Sequence, residues 1–133
     1  MRPSKHQVFL EMAMVLATRA CCMRRQVACI LVDAQGKVVS TGYNGRPQAM
    51  GNCVPSDSCE VHCEGVHAEV NALVQATRPV YTAYITHAPC WHCIKTLVNT
   101  GIREVYFVDE STLEPKTAQF CVDAGIRLIG WSL

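Results

Sequence analysis

Apolar and polar positions follow a helical period in some segments of the chain and an extended period in others. Residues 7–20 are rich in Met, Ala, Leu and Phe at helix-compatible spacing, which predicts an amphipathic first helix. Two β-branched apolar runs, 27–32 and 37–42, flank the polar, glycine-containing segment 33–36, which predicts a pair of antiparallel strands. Residues 43–65 carry glycines, prolines and polar groups without a sustained period, a pattern typical of a long functional loop.

The second half of the chain predicts alternating helices and strands. Such alternation favours right-handed crossovers, parallel pairing and helices on both faces of a sheet. Gly101 and Gly125 each follow a predicted helix, where a left-handed C-cap turns the chain into the next strand. We therefore predict an α/β fold in one domain, 1–133, because this length suits one core and not two. The predicted helices are 66–76, 90–100 and 117–124, and the predicted strands are 80–86, 104–108 and 127–131.

Composition narrows the classes of function. Half the residues are hydrophobic and the net charge is +1, which argues against a broad electrostatic interaction with nucleic acid. No stretch has the length of a membrane span or the pattern of a signal peptide, so we expect a cytoplasmic protein without a membrane partner. Nine cysteines, an odd number without an export signal, indicate metal binding and reduced thiols rather than disulfides.

Two short segments carry the residue types of a catalytic zinc site. His67, Cys90 and Cys93 supply one imidazole and two thiolates, the three protein ligands of a zinc ion that keeps its fourth position for water. Both segments lie at predicted helix N-termini, whose positive partial charge favours thiolate over thiol. Glu69, two residues after the histidine, is placed to carry protons as general acid and base. Taken alone, the Cys-x-x-Cys spacing is equally typical of a redox or structural zinc motif.

The chain as a whole resembles the deoxycytidylate (dCMP) deaminase branch of the zinc-dependent cytidine deaminase-like superfamily. The spacing H-x-E…P-C-x-x-C is the signature of zinc deaminases. Ala28 departs from the pattern, because the family usually has a glycine there. The resemblance implies a three-layer αβα sandwich with a five-stranded mixed sheet, hydrolysis of dCMP to dUMP and ammonia, and a homo-oligomer, commonly a hexamer. Further segments that carry it are Arg24-Arg25-Gln26-Val27, Gly42-Tyr43-Asn44-Gly45, His67-Ala68-Glu69-Val70-Asn71-Ala72 and Gly101-Ile102-Arg103-Glu104-Val105-Tyr106.

The residues that would surround a nucleotide substrate are predicted as follows. By resemblance Asn44 would bind the deoxyribose, since an amide both donates to and accepts from a hydroxyl; the alternative is a turn residue in Tyr-Asn-Gly. The backbone N–H groups of Ala68 and Cys90 are candidates to hold the base and the developing tetrahedral centre. The candidates for the phosphate partner, each otherwise a solvated charge, are Arg24, Arg25 and Arg46.

A second, structural zinc site is expected in the long loop. By resemblance Cys22 and Cys53 occupy positions of structural-zinc cysteines in some phage and bacterial members of this branch. A closed tetrahedral site would stabilise a loop that gains little burial, whereas the alternative is a set of free cysteines, and Cys21 is expected to point elsewhere. The predicted ligands are Cys22, Cys53, Cys59 and Cys63, with His62 in place of one thiolate as a variant.

Other functions remain open at this point. Deaminases of cytidine, modified dCMP, guanine and tRNA adenosine share the zinc chemistry, so the surrounding pocket decides the substrate. Residues 42–45 and Asn71 favour dCMP, and the lack of a basic surface disfavours tRNA. A non-catalytic zinc-stabilised binding module is the alternative from another class, and Glu69 discriminates against it because a structural site needs no free carboxylate.

Overall fold

A computed structural model of the chain describes residues 1–22, 24–53 and 63–133. The predicted helices and strands are present, with bounds that differ from the prediction by no more than about three residues. Gly101 and Gly125 both have positive φ, 85° and 73°, after the third and fourth helices, as the capping argument predicts. The helices are α1 (Lys5–Ala17), α2 (Ala68–Gln75), α3 (Trp91–Asn99) and α4 (Pro115–Ala124), and the strands are β1 (Ala28–Val32), β2 (Val38–Tyr43), β3 (Thr82–Ile85), β4 (Glu104–Val108) and β5 (Arg127–Trp131); short 3-10 turns lie at Gln48–Met50 and Glu110–Thr112.

The strands form one mixed sheet in the order β2-β1-β3-β4-β5. Strand β1 is antiparallel to both β2 and β3, whereas β3, β4 and β5 are parallel. Because β1 and β3 run in opposite directions, the start of β1 lies beside the ends of β3 and β4. We call this end of the sheet the site edge, since the loop from β3 to α3 leaves from it.

Helices cover both faces of the sheet, which confirms the predicted three-layer αβα sandwich. On one face α2, α3 and α4 enclose a core that includes Leu31, Ile85 and Leu97. On the other face α1 packs through Leu10 and Ala13 against β1, β3 and β4. In the part of the chain that the structure describes, no helix is long and apolar enough to cross a membrane.

Strand β2 passes close to α2 at Gly42. A Cβ atom at this position would lie 2.4 Å from the carbonyl oxygen of Ala68 and 2.4 Å from the amide nitrogen of Ala72. Three residues later, Gly45 and Val66 exchange two backbone hydrogen bonds, of 3.2 and 2.7 Å. The segment 42–45 therefore fixes the position of the α2 N-terminus, because only a glycine permits the close approach of the two backbones.

Candidate active site

Three of the predicted metal ligands meet at the N-termini of α2 and α3. The ligand atoms of His67, Cys90 and Cys93 all lie within 4.8 Å of one another. The Nδ1 atom of His67 is 3.3 Å from the Cys93 sulfur and 3.5 Å from the Cys90 sulfur. Within residues 1–22, 24–53 and 63–133, no other group of three His, Cys, Asp or Glu side chains comes this close together.

Helix caps place these side chains. His67 is the N-cap of α2 and Cys90 is the N-cap of α3, both with extended backbone dihedrals. The carbonyl of each cap residue accepts the first intrahelical bond, from Asn71 N (3.0 Å) and from Ile94 N (2.9 Å). An N-cap side chain leaves the helix ahead of its first turn, and Cys93, three residues after Cys90, lies on the same side of α3. The local fold of each helix start therefore directs an imidazole and two sulfurs to one point.

The donor set fits a zinc ion of the catalytic kind. One imidazole and two thiolates are common zinc ligands, and the described residues supply no fourth ligand, as in sites that keep a position for water. The Cys93 thiol donates to the Cys90 sulfur, which lowers the pKa of Cys90 to about 4 and raises the pKa of Cys93. Two sulfurs that share one proton release it when a dication binds both as thiolates.

Glu69 lies in the first turn of α2, beside the three ligands and outside their group. It is only 4% exposed. Burial raises the pKa of the Glu69 carboxyl above its ordinary value, and the negative charge of Cys90 raises it further; its own backbone N–H, Cys93 and His67 oppose the rise. A buried carboxyl with a raised pKa, next to three candidate metal ligands, has the properties of a general acid and base.

Asn44, the predicted sugar ligand, braces the chain before β1. Its Oδ1 accepts from the backbone N–H of Val27 (2.8 Å), and its Nδ2 donates to the carbonyl of Arg25 (2.8 Å). The amide retains one acceptor lone pair and one N–H, so both roles are compatible. Asn71 likewise donates to a backbone carbonyl, that of Tyr43 (2.9 Å).

The three candidate arginines differ in their surroundings. Arg24 and Arg25 are exposed on the segment that leads into β1. Arg46 is partly buried, donates to the carbonyl of Asn52 (3.3 Å) and lies 3.6 Å from the carboxylate of Glu64. Its Nε atom is buried and has no hydrogen-bond partner among the described residues. Arg46 is therefore held by the loop after β2, whereas the other two arginines lie at the site edge.

The second cysteine group differs from its prediction in one respect. Cys59 and His62 lie outside the described residues, so the structure does not test the full ligand set. The expectation that Cys21 points elsewhere is wrong, because its sulfur accepts the backbone N–H of Cys53 (3.1 Å). This bond lowers the pKa of Cys21, while burial raises the pKa of Cys53. Cys22 and Cys63, the other two predicted ligands in the described residues, form no compact three-ligand group with Cys53 there. The sequence could not show which of two consecutive cysteines faces Cys53, because no regular element fixes their direction.

His87 is a polar residue near the site to which the sequence analysis assigned no role. It lies two residues after the end of β3, and its Nδ1 is 3.0 Å from the hydroxyl of Thr86. The signal that could have identified it is its position, a partly buried histidine between an apolar strand and the Pro89-Cys90 motif. Polar residues at the ends of sheet strands are frequent in functional sites.

An αβα sandwich with a His/Cys/Cys group at two helix N-termini defines the class of zinc-site α/β proteins. The sequence model of the family described as the cytidine and deoxycytidylate deaminase zinc-binding region matches residues 3–109. The chain therefore belongs to this family.

Relatives and solved structures agree with this assignment. The deoxycytidylate deaminase of Saccharomyces cerevisiae is 35% identical over 141 residues, which cover 96% of this chain and 45% of that protein. The deoxycytidylate deaminase of Schizosaccharomyces pombe is 34% identical, over 96% of this chain and 44% of that protein, so the chain spans about half the length of these relatives. The dCMP deaminase of cyanophage S-TIM5 in complex with dCMP and dUMP superposes with a TM-score of 0.84 at 24% identity, over 98% of this chain and 99% of that one. This likeness shows that the two chains share their fold.

Proposed function

We propose that this chain catalyses the hydrolytic deamination of dCMP to dUMP and ammonia, as one zinc deaminase domain over 1–133. The observation that carries the proposal is the buried Glu69 beside three converging ligand atoms. The names of the two yeast relatives and the dCMP and dUMP in the cyanophage structure support the choice of substrate. Membership of a cytidine and deoxycytidylate deaminase family supports the reaction type.

The side chains of the site divide the chemistry between them. His67, Cys90 and Cys93 would hold one zinc ion, which would act as a Lewis acid and lower the pKa of a coordinated water toward neutrality. Glu69 takes a proton from the attacking water and delivers it to ring N3 as the water oxygen bonds to C4. It then transfers the second proton to the amino group, and the C4–N bond breaks to release ammonia. Burial raises the pKa of Glu69 toward neutral pH, where a carboxyl can both take up a proton and return it.

The nucleotide is held by groups around this centre. The backbone N–H groups of Ala68 and Cys90 hold the base, because helix N-termini present unpaired donors. Asn44 contacts the deoxyribose through the donor and acceptor capacity that its backbone bonds leave unused. The proposed phosphate partners are Arg24, Arg25 and Arg46, of which Arg46 also contacts Asn52 and Glu64.

Further parts of the proposal follow the family resemblance. The protein acts in the cytoplasm in pyrimidine deoxynucleotide (dTMP) synthesis, as a homo-oligomer, commonly a hexamer, on a small nucleotide and without nucleic acid or membrane. A second zinc stabilises the loop after β2, and the contact between Cys21 and Cys53 adds Cys21 as a candidate ligand. The remaining ligands proposed for this zinc are Cys22, Cys53, Cys59 and Cys63, with His62 as the variant.

The test is an assay of dUMP release together with the zinc content per chain, for the parent protein and Glu69→Gln. The parent protein should convert dCMP faster than deoxycytidine, dCTP, guanine or a tRNA. Glu69→Gln should keep its zinc and lose about 10²–10⁴-fold in kcat, the usual contribution of a positioned acid–base group. Glu114→Gln, on an exposed carboxylate that makes no capping bond, is the matched control and should be unaffected. Full activity of Glu69→Gln would refute the proton-transfer role, and zinc without turnover of any substrate would indicate a non-catalytic binding module.

A further inference from the structure

His87 lies at the site edge, three residues before the metal ligand Cys90. It follows the buried Thr86, whose hydroxyl accepts the backbone N–H of Ala28 (3.1 Å), while the Thr86 amide donates to the Ala28 carbonyl (3.1 Å). Next in the chain, the Ala88 amide donates to the hydroxyl of Thr112 (2.9 Å), which itself donates to the carbonyl of Asp109 (2.7 Å). The backbone on both sides of His87 is therefore anchored, to β1 and to the loop after β4.

The hydrogen bonds of Thr86 determine which nitrogen of His87 carries the proton. A threonine hydroxyl has one hydrogen to donate, and in the described residues its two contacts are the Ala28 N–H and Nδ1 of His87. Since the hydroxyl already accepts from Ala28, it satisfies its hydrogen by donating to Nδ1, so the neutral ring carries its proton on Nε2. Burial also lowers the pKa of His87, which favours this neutral form.

The Nε2–H group of His87 is a donor with no partner among the described residues. The ring is only partly buried, so this donor is accessible to a ligand. Three residues of chain span at most about 11 Å, which places the ring within reach of a nucleotide whose base lies at the ligands of the metal.

Two charged residues from other segments lie near this donor. Continuing the register in which Ile85 pairs with Phe107 brings His87 level with Asp109. The carboxylate of Asp109 accepts from the amide and hydroxyl of Ser111, so it already has donors in its own turn. Arg25 lies on the segment before β1, where its carbonyl accepts a hydrogen bond from Asn44. The positive charge of Arg25 lowers the pKa of His87 further, whereas the negative charge of Asp109 raises it. A hydrogen-bond donor close to the positive charge of an arginine is a combination that binds an anionic oxygen.

We propose that His87 is a specificity-determining residue that donates its Nε2–H to the 5′-phosphate of the nucleotide, beside the positive charge of Arg25. The proposal rests on the proposed function, because it assumes that a nucleoside monophosphate is bound with its base at the zinc ligands. The contact would favour a nucleoside monophosphate over a free nucleoside, because the nucleoside has no phosphate oxygen to accept the hydrogen bond. The bond between Thr86 and Nδ1 fixes the ring orientation before the substrate arrives, which reduces the entropy lost on binding.

The test uses two substitutions, each of which places a polar group near the position of one of the two ring nitrogens of His87. His87→Asn retains a polar group near the Nδ1 position and loses the Nε2 donor, whereas His87→Gln retains a donor near the Nε2 position. The ratio of kcat/KM for dCMP to that for deoxycytidine should fall about 10- to 100-fold in His87→Asn, mainly through KM, as expected for a hydrogen bond to a charged group. His87→Gln should keep most of the ratio. Arg25→Gln should lower the ratio as well, and Arg103→Gln, exposed before the opposite end of β4, is the control for charge.

A purely structural role for His87 predicts the reverse order, because His87→Asn would then preserve the bond to Thr86. Equal losses on dCMP and deoxycytidine, or a His87→Asn variant with an unchanged ratio, would overturn the proposal. Binding of dUMP and of deoxyuridine, measured by calorimetry, tests the same contact without turnover. If the parent protein fails to deaminate dCMP but binds dUMP more tightly than deoxyuridine through His87, the proposed function fails and the phosphate contact stands.

Discussion

Two regions of the molecule are rich in cysteine, and the structure organises them differently. In the first, which we call the zinc corner, His67, Cys90 and Cys93 converge at two helix N-termini. In the second, the cysteine loop, Cys21 and Cys53 are joined by one backbone hydrogen bond. Spacing along the chain predicts convergence where a helix fixes the direction of each side chain. Where irregular backbone connects the cysteines, their spacing does not predict which of them come together.

The backbone around the two regions explains the difference. The zinc corner is anchored on one side by the close contact of β2 with α2 at Gly42, and on the other by the bonds of Thr86 with Ala28 at the end of β3. In the cysteine loop, Cys21 lies between α1 and β1, and Cys53 lies between the bridged residues Gly45 and Val66. The part between Gly45 and Val66 contains only one short 3-10 turn, Gln48–Met50, among its described residues. A catalytic group needs positions held within fractions of an ångström, so the anchored region is the one suited to chemistry.

The largest expected effect is loss of the zinc corner itself. Cys93→Ala removes one of the three proposed ligands, so the protein should lose the proposed catalytic zinc and all measurable release of dUMP. The metal content per chain and the assay on dCMP measure both effects. Cys121→Ala is the matched control, because Cys121 is equally buried and contacts no ligand group. A Cys93→Ala protein that retains its zinc and its turnover would show that the convergence of these three side chains is not required for zinc binding or catalysis.

The next effect tests the anchoring of the zinc corner. Gly42→Ala introduces a methyl group 2.4 Å from two backbone atoms of α2, so the helix must move away from β2. We expect a loss of up to about 3 kcal/mol in the free energy of unfolding, measured with urea, together with a lower kcat. Gly45→Ala is the control, because its Cβ would lie 3.2 Å from a single side-chain atom, the Cys21 sulfur. Equal stability of the two variants would show that the contact at Gly42 does not position α2.

Asn44 holds the segment before β1, and its removal should have a smaller effect on stability. Asn44→Ala deletes the bonds with Val27 and Arg25, each worth about 1 kcal/mol, so unfolding should become easier by about 2 kcal/mol. If Asn44 also contacts the sugar, KM for dCMP should rise as well. Asn99→Ala, at the exposed end of α3, should change neither quantity. If Asn44→Ala is as stable as the parent protein, the hydrogen bonds of Asn44 with Val27 and Arg25 contribute nothing to the free energy of unfolding.

The smallest effect is expected in the cysteine loop. With metal removed by a chelator, Cys21→Ala removes the acceptor of the Cys53 amide and should lower the free energy of unfolding by about 1 kcal/mol, more than Cys22→Ala does under the same conditions. The zinc content of the two variants tests the proposed ligand set. If Cys22→Ala loses one zinc per chain, the proposed ligand set is supported. If only Cys21→Ala loses a zinc, Cys21 is the ligand in place of Cys22. If neither variant loses zinc, the proposed second zinc site is refuted.

The sequence predicted the ends of helices and strands best where turn, cap or polar residues flank the apolar run on both sides. Strands β4 and β5 have the predicted bounds, because each apolar run is preceded by a turn or cap residue and ends at a polar one. Helix α1 begins earlier than predicted because the Ser4 side chain accepts from the amide of His6 (3.1 Å), a cap that lies outside the apolar run. Helix α4 likewise begins at Pro115, whose preference for a first helical position the apolar pattern does not reveal.

The chemistry proposed for the zinc corner could be predicted from the sequence, since the residue types and their spacing at helix starts are local properties. The distant segments that lie together at the site edge could be identified from the folded chain and not from the sequence. Strand order brings Arg25, His87 and Asp109 to one edge, and the contact of Cys21 with Cys53 depends on the path of the loop after β2. These contacts join residues tens of positions apart, and their geometry follows from sheet register and backbone approach, which periodicity along one segment does not encode.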